Sequence, residues 1–168
     1  MLYKKWKGQS LFDTSIINLS KNTFKVQERN QSTFWGGGKG TFFGLHRDAK
    51  DEMIANYVVY GRKKWWIVKK AKRNLFQETI YSIIGSKLSS EKHILEHEAL
   101  WIDGDWLSKK YPEIEIDTIV QEENQFVVLT QSDIYHWGVN LEPTLAEITI
   151  LKRGKEINHE KQSCSCMI

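Results

Sequence analysis

Short apolar runs rich in β-branched and aromatic residues recur along this 168-residue chain, and they constrain its fold more than any other feature. Runs of this kind, bounded by polar and glycine-containing segments, are typical of β-strands. The predicted strands are 41–45, 53–60, 64–68, 125–130 and 146–151, with weaker alternation over 113–120. Helical or irregular structure is predicted for 71–88, and a helix for 91–100. Many short strands with little helix predict a mainly β protein, an antiparallel sandwich or barrel of the jelly-roll type.

The composition is that of one folded domain. Hydrophobic residues make up 40% of the chain, with seven tryptophans and only two prolines, which excludes a disordered protein. The net charge of +3 is too balanced to indicate sequence-specific nucleic-acid binding by itself. No apolar run approaches the length of a membrane span, and no apolar stretch follows the first lysines as in a signal peptide. We therefore expect a single soluble, intracellular domain over residues 1–168.

A histidine and an aspartate follow one of the predicted strands in the order His46-Arg47-Asp48. Residues two apart on an extended segment point to the same side, so the imidazole and the carboxylate can share a metal ion. A second histidine, His136, follows the predicted strand 125–130. Two histidines and one carboxylate are the ligands of non-haem iron(II) oxygenases, which keep positions open for a cosubstrate and dioxygen. The alternative is an ordinary histidine that has an aspartate nearby by chance.

Two further residues suggest which cosubstrate such an iron site would take. Asn56 and Lys64 follow His46 within the next twenty positions. A lysine buried near an iron site is costly unless it meets an anion. The dicarboxylate 2-oxoglutarate would supply one, because it chelates iron at its keto-acid end and needs a cation at its distal carboxylate. Lys64, beside an apolar wall of Trp65 and Trp66, is the candidate; one more exposed charge in a basic turn is the alternative.

The last residues suggest a second metal site. Cys164 and Cys166 flank a single serine, so two thiolates on one short segment can bind one zinc ion from the same side. His93 and His97 stand four apart in a predicted helix, which places both imidazoles on one helix face. The alternative is a frayed tail with inert thiols and two solvated histidines.

Taken together, these residues resemble the heart of a Jumonji-C (JmjC) oxygenase. The matching segments are 41–48, 56–57, 61–66, 120–128, 135–140 and 146–147. The closing segment 161–166 is similar to the zinc-binding end of the JmjC histone demethylases that act on trimethylated lysine. The resemblance implies a double-stranded β-helix, which is a cupin-like jelly roll with flanking helices.

The resemblance also implies roles for individual residues. The implied iron(II) ligands are His46, Asp48 and His136. The implied 2-oxoglutarate contacts are Lys64 at the distal carboxylate, Asn56, and the aromatic residues Phe43 and Trp66. The implied zinc ligands are Cys164, Cys166 and His97. The family's fourth zinc ligand is a cysteine, for which this chain has Glu91, and we expect His93 to replace it.

The chain departs from the family pattern at positions that bear on activity. A family tyrosine gives the distal carboxylate a second hydrogen bond, and its counterpart here is Phe12 or Tyr3. Two polar residues that line the demethylase site are replaced by Ile148 and Ile150. A tyrosine that surrounds the methylated ammonium group falls at Trp35, whose aromatic face would still attract a cation.

The resemblance implies an Fe(II)- and 2-oxoglutarate-dependent dioxygenase, most like a nuclear histone lysine demethylase. Such an enzyme hydroxylates an N-methyl group of a histone tail or another protein, and releases formaldehyde and succinate. Two alternatives remain. One is a JmjC hydroxylase that oxidises a carbon side chain, which Ile148 and Ile150 favour. The other is a catalytically inactive JmjC module that binds chromatin.

Overall fold

The computed structural model describes residues 4–8, 32–48, 52–84, 100–129 and 133–152. Within these ranges the strands are β1 (Lys4–Gly8), β2 (Ser32–Gly37), β3 (Phe42–His46), β4 (Glu52–Tyr60), β5 (Lys63–Val68), β6 (Ile116–Gln121), β7 (Phe126–Leu129), β8 (His136–Asn140) and β9 (Thr144–Lys152). The helices are α1 (Arg73–Ile84) and α2 (Gly104–Lys110), and short 3-10 turns span Lys70–Lys72 and Pro112–Ile114. No helix among the described residues has the length and apolar character needed to cross a membrane.

The strands form two antiparallel sheets. The first sheet has the order β1-β2-β9-β4-β7, and the second has the order β3-β8-β5-β6. The chain changes sheet at every step from β2 to β5 and again at every step from β6 to β9, whereas β1–β2 and β5–β6 pair side by side within one sheet. This arrangement confirms the predicted mainly β fold of the jelly-roll type.

One hydrophobic core lies between the two sheets. It joins Trp65 and Ile67 of β5 in the second sheet to Val127 and Leu129 of β7 in the first. We call the surfaces that meet there the inner faces. Side chains alternate between the two faces of a strand, so alternate residues of β5 belong to this core.

A second core covers the outer face of the second sheet. Trp66 and Trp137 are buried there beneath Phe76 of α1 and Leu107 of α2. The ring of Phe76 stacks on Trp137 with centroids 5.8 Å apart. Strand β5 is therefore covered on both sides, by the opposite sheet and by the helices.

The helices match the sequence only in part. Helix α1 lies inside the predicted stretch 71–88, and its apolar side faces the outer core through Phe76 and Ile80. Helix α2 begins after Asp103, whose carboxylate accepts hydrogen bonds from the backbone N–H groups of the next turn and so caps the helix. A Cβ on Gly104 would lie 2.2 Å from the indole of Trp66, so glycine permits this close contact. Of the predicted helix 91–100, residues 91–99 lie outside the described residues.

Candidate metal centre and cosubstrate pocket

Three of the predicted ligands meet where β3 ends and β8 begins. His46 is the last residue of β3, His136 is the first residue of β8, and the two are paired across the sheet. The Nε2 atoms of His46 and His136 lie 3.7 Å from the two carboxylate oxygens of Asp48, one to each oxygen. The three residues offer ligand atoms that all lie within 4.8 Å of one another. This spacing suits donors arranged around one divalent cation.

An irregularity in β3 brings the right side chains to the inner face. Its register with β8 shifts between Phe43 and His46, so two residues that are three apart in sequence both point inward. Asp48 lies two residues beyond His46 and returns to the same side. Leu45 points the opposite way and is buried in the outer core.

Backbone hydrogen bonds fix the tautomer of both histidines. The Nδ1 of His46 lies 2.8 Å from the carbonyl oxygen of Gly44, and the Nδ1 of His136 lies 3.1 Å from the carbonyl oxygen of Ile134. A carbonyl can only accept, so each Nδ1 carries the hydrogen, and in the neutral ring the free electron pair is on Nε2, on the side of Asp48. Burial, followed by the nearby His46, lowers the pKa of His136 well below its ordinary value. A neutral imidazole in this tautomer is the form that binds a metal.

A lysine ammonium group reaches the inner face, and it belongs to Lys63. This residue is 2% exposed, and its Nζ lies 4.8 Å from the ring centroid of Phe43 and 4.9 Å from that of Trp65. Burial lowers the pKa of Lys63 to about 7. An anion bound beside it would favour the charged form, so this part of the pocket suits a carboxylate.

Lys64 and Trp66, which the sequence predicts beside the cosubstrate, point away from the pocket. The Nζ of Lys64 donates to the carboxylate of Asp105 on α2, and the Nε1 of Trp66 donates to the same carboxylate at 2.9 Å. Because Ile67 pairs with His136, the odd-numbered residues of β5 share the face of the metal ligands. The predicted roles of Lys64 and Trp66 therefore require correction: in each case the preceding residue faces inward.

The other two residues predicted to contact the cosubstrate do lie on the inner faces. The ring centroid of Phe43 is 6.1 Å from that of His46 and 6.4 Å from that of His136. Asn56 is fully buried on β4, paired with Val127 of the inner core. Within the described part of the chain, neither Oδ1 nor Nδ2 of Asn56 has a hydrogen-bond partner. Since a buried amide costs free energy when unsatisfied, Asn56 indicates a polar ligand between the sheets.

Gln121 is a buried polar residue of the pocket that no sequence motif indicates. Its Oε1 accepts from Trp65 Nε1 at 2.8 Å, and its Nε2 donates to the backbone carbonyls of Asn56 at 2.9 Å and Gln125 at 2.8 Å. Gln121 pairs with Lys63 across β5 and β6. It therefore connects the two sheets and holds the Trp65 indole next to the lysine.

Several predicted residues lie outside the described ranges, so their roles stay predictions. They are the zinc ligands His93, His97, Cys164 and Cys166, and the two counterparts of the family tyrosine, Tyr3 and Phe12.

Comparison with protein-family models places this geometry in a known group. Residues 34–149, well over half of the chain, match the model described as JmjC domain, hydroxylase. The matched span contains the three metal-binding side chains, Lys63 and Asn56. No curated protein matches the chain significantly. The extent of the family match, over a jelly roll with a His-Asp-His cluster inside it, shows that this chain belongs to the JmjC family.

Proposed function

We propose that this protein is an Fe(II)- and 2-oxoglutarate-dependent oxygenase that acts on a protein side chain. The JmjC family uses Fe(II) and 2-oxoglutarate, and the His-Asp-His cluster fits iron binding. The observation that carries the proposal is the placement of two imidazoles, one carboxylate and a buried lysine side chain on one inner surface. Such a surface matches a cosubstrate that chelates a metal at one end and carries a carboxylate at the other.

His46, Asp48 and His136 would hold the iron. Once bound, iron with 2-oxoglutarate and dioxygen supplies the oxidising chemistry of the reaction. The protein's part is to hold both rings with Nδ1–H bonded to a backbone carbonyl, which presents each Nε2 to the metal, while burial lowers the pKa of His136. A single carboxylate beside two neutral imidazoles leaves part of the coordination sphere open to cosubstrate and oxygen.

Lys63 would bind the distal carboxylate of 2-oxoglutarate, in the place that the sequence assigned to Lys64. The rings of Phe43 and Trp65 exclude water from the ammonium group and thereby strengthen its attraction for an anion. Asn56 would donate and accept hydrogen bonds with the cosubstrate from the opposite sheet. Burial of Lys63 between apolar rings is tolerated because the bound anion compensates for the lost hydration.

Turnover of 2-oxoglutarate tests this proposal directly. Protein purified without metal and given Fe(II), ascorbate and 2-oxoglutarate should form succinate, and His46→Ala and Asp48→Ala should each abolish it. Asp105→Asn, which alters a carboxylate on the outer face, is the matched control and should retain succinate formation. Equal succinate formation by the His46→Ala variant would refute the assigned metal centre. Metal and cosubstrate binding without any succinate would favour the inactive chromatin-binding module.

The inner surface favours hydroxylation of a carbon atom as the reaction on the substrate. Ile148 of β9 pairs with Asn56 and therefore shares its inward face. An isoleucine there offers apolar contact and no hydrogen bond, which suits an aliphatic side chain better than an ammonium group.

Demethylation of N-methyl-lysine is the second candidate, and Trp35 favours it. Trp35 pairs with Ala146, which pairs in turn with Val58, and this series places Trp35 on the inner side of the first sheet. An indole face attracts a methylated ammonium group. This second candidate follows the resemblance to the trimethyl-lysine histone demethylases. With it we propose a methylated histone tail as the partner and the nucleus as the location.

Product analysis separates the two reactions. Peptides that stimulate succinate formation are examined by mass spectrometry, and formaldehyde is measured in the same samples. A stable mass gain of one oxygen atom without formaldehyde supports carbon hydroxylation, whereas formaldehyde with loss of a methyl group supports demethylation.

A zinc site formed by Cys164, Cys166, His97 and His93 is a further part of the demethylase proposal. Metal analysis of the purified full chain should show about one zinc ion beyond the iron site. The paired change Cys164→Ala and Cys166→Ala should remove it, and unchanged zinc content after His93→Ala would refute His93 as a ligand.

A further inference from the structure

An ion pair joins the two chain segments that carry the metal ligands, on the side away from the metal centre. Arg47 lies between His46 and Asp48, and its Nη1 donates to Oδ1 of Asp133 at 3.0 Å. Asp133 precedes β8 and lies three residues before His136. The pair thus connects the segment that bears Asp48 to the segment that leads into His136.

Neighbouring side chains hold both members of this pair. The guanidinium carbon of Arg47 lies 5.0 Å from the ring centroid of Tyr135, which is buried against Phe76 of α1. Arg73, the first residue of α1, donates to the other carboxylate oxygen of Asp133. The side chain of Arg47 is only 14% exposed. Asp133 is 38% exposed, so the pair is shielded on the arginine side only, but an ion pair within such a network contributes more than an isolated exposed pair.

The position of Asp48 depends on what holds the residues beyond β3. The strand ends at His46, so Arg47 and Asp48 continue past the last residue of the sheet. Because neighbouring side chains alternate, Arg47 points to the outer side while His46 and Asp48 point inward. Fixing the Arg47 side chain to Asp133 therefore restricts the backbone that presents the Asp48 carboxylate to the two imidazoles.

We propose that Arg47 is a positioning residue of the metal centre. It does not touch the metal; it sets the distance between Asp48 and His136 through its ion pair with Asp133, and so raises the affinity for a divalent cation. This inference rests on the proposed function, because it requires that the three side chains bind a metal. An ion pair with only a structural role would stabilise the fold and leave the metal affinity of the folded protein unchanged.

Binding of Mn²⁺ to the metal-free full chain tests the proposal, with free Mn²⁺ measured by electron paramagnetic resonance. Arg47→Met should raise the Kd for Mn²⁺ by about 10-fold or more, the range in which contacts outside the ligand set affect metal affinity. Lys64→Met is the matched control, since it removes a cation of similar exposure, 20% against 14%, from an ion pair on the same outer side. Its Kd should stay within about twofold of that of the unaltered protein.

A double-mutant cycle shows whether the effect runs through the ion pair. Asp133→Asn should raise the Kd to a similar extent, and combining it with Arg47→Met should add little. A folded Arg47→Met variant with unaltered Mn²⁺ affinity, or losses that simply add, would overturn the proposal. If thermal unfolding shows that Arg47→Met does not fold, Asp133→Asn decides alone, because it keeps the size of the side chain. Absence of Mn²⁺ binding by the unaltered protein would overturn the proposed function itself, and this inference with it.

Discussion

Replacing Lys63 with methionine should stabilise the ligand-free protein while weakening its binding of 2-oxoglutarate. The ammonium group is buried between the rings of Phe43 and Trp65, and its pKa is about 7 instead of the ordinary 10.5. This lowering corresponds to a penalty of roughly 5 kcal/mol on the charged form in the folded state. Methionine keeps most of the apolar stem and removes the charge. If the variant is more stable but binds 2-oxoglutarate more weakly, Lys63 serves ligand binding and not folding.

The gain in stability should depend on pH. Between pH 7 and 10.5 the unfolded chain holds a lysine proton that the folded protein has lost, so the free energy of unfolding of the unaltered protein rises with pH in this window. Well below pH 7 both states are protonated, and the folded state bears the full penalty. The Lys63→Met variant should therefore exceed the unaltered protein most at low pH, by up to roughly 5 kcal/mol, and this advantage should vanish toward pH 10.5. Denaturant unfolding at several pH values measures it.

The loss of binding can be estimated from the hydrogen bond that disappears. A hydrogen bond to a charged group contributes about 1.5–3 kcal/mol, which corresponds to a Kd for 2-oxoglutarate raised roughly 10- to 150-fold. Calorimetric titration of 2-oxoglutarate into the Mn²⁺-loaded protein measures this change. Lys64→Met removes the ammonium group of the next residue, which lies on the outer face, and should leave the Kd for 2-oxoglutarate nearly unchanged. An unaltered Kd for Lys63→Met, or a larger loss for Lys64→Met, would refute the assignment of the inner face.

Three further outcomes follow from the same pocket. Gly138→Ala should cost about 1–3 kcal/mol of stability, because its Cβ would lie 2.3 Å from a backbone carbonyl of β5 and 2.6 Å from the Phe43 ring; an unchanged Tm would contradict this packing. Gln121→Leu should cost about 1–3 kcal/mol, because it deprives the Trp65 indole and two backbone carbonyls of their partner, and denaturant unfolding against the unaltered protein measures the loss. Binding of 2-oxoglutarate above pH 7 should take up about one proton at Lys63, which calorimetry in two buffers detects; no uptake would place the carboxylate elsewhere.

The sequence predicts those strands whose apolar residues form continuous runs. The predicted strand 53–60 lies within β4, and 125–130 encloses β7, because both are rich in apolar residues, of which Val58, Val127 and Leu129 are buried. Strand β8 escapes prediction because its five residues, His-Trp-Gly-Val-Asn, contain only two apolar side chains around a glycine, which is too short and weak a pattern to stand out. Its pairing with two neighbours, β3 and β5, makes it a strand, and such long-range contacts leave no local signal.

The His-Asp-His cluster is easier to predict than the inward-facing lysine, for a physical reason. The H-x-D spacing by itself directs His46 and Asp48 to one side of the chain. In β5 the two lysines are adjacent, and the tryptophans that follow them are both buried. A strand covered on both faces shows no alternation of polar and apolar residues, so a shift of one residue passes unnoticed. The pairing of Ile67 with His136, together with the side-chain contacts of the two lysines, shows which lysine faces the metal centre.

The double coverage of β5 limits how far this JmjC domain can be shortened. Residues 69–115, which separate β5 from β6, look like an insertion that could be trimmed to a tight hairpin. They include Phe76 and Leu107, which shield Trp66 and Trp137 from water. Excision would expose the indoles of Trp66 on β5 and Trp137 on β8 to water, on the outer face of the sheet that presents Lys63. We would expect such a variant to aggregate. A minimal fragment must therefore keep this insertion, even though none of its described residues belongs to the core between the two sheets.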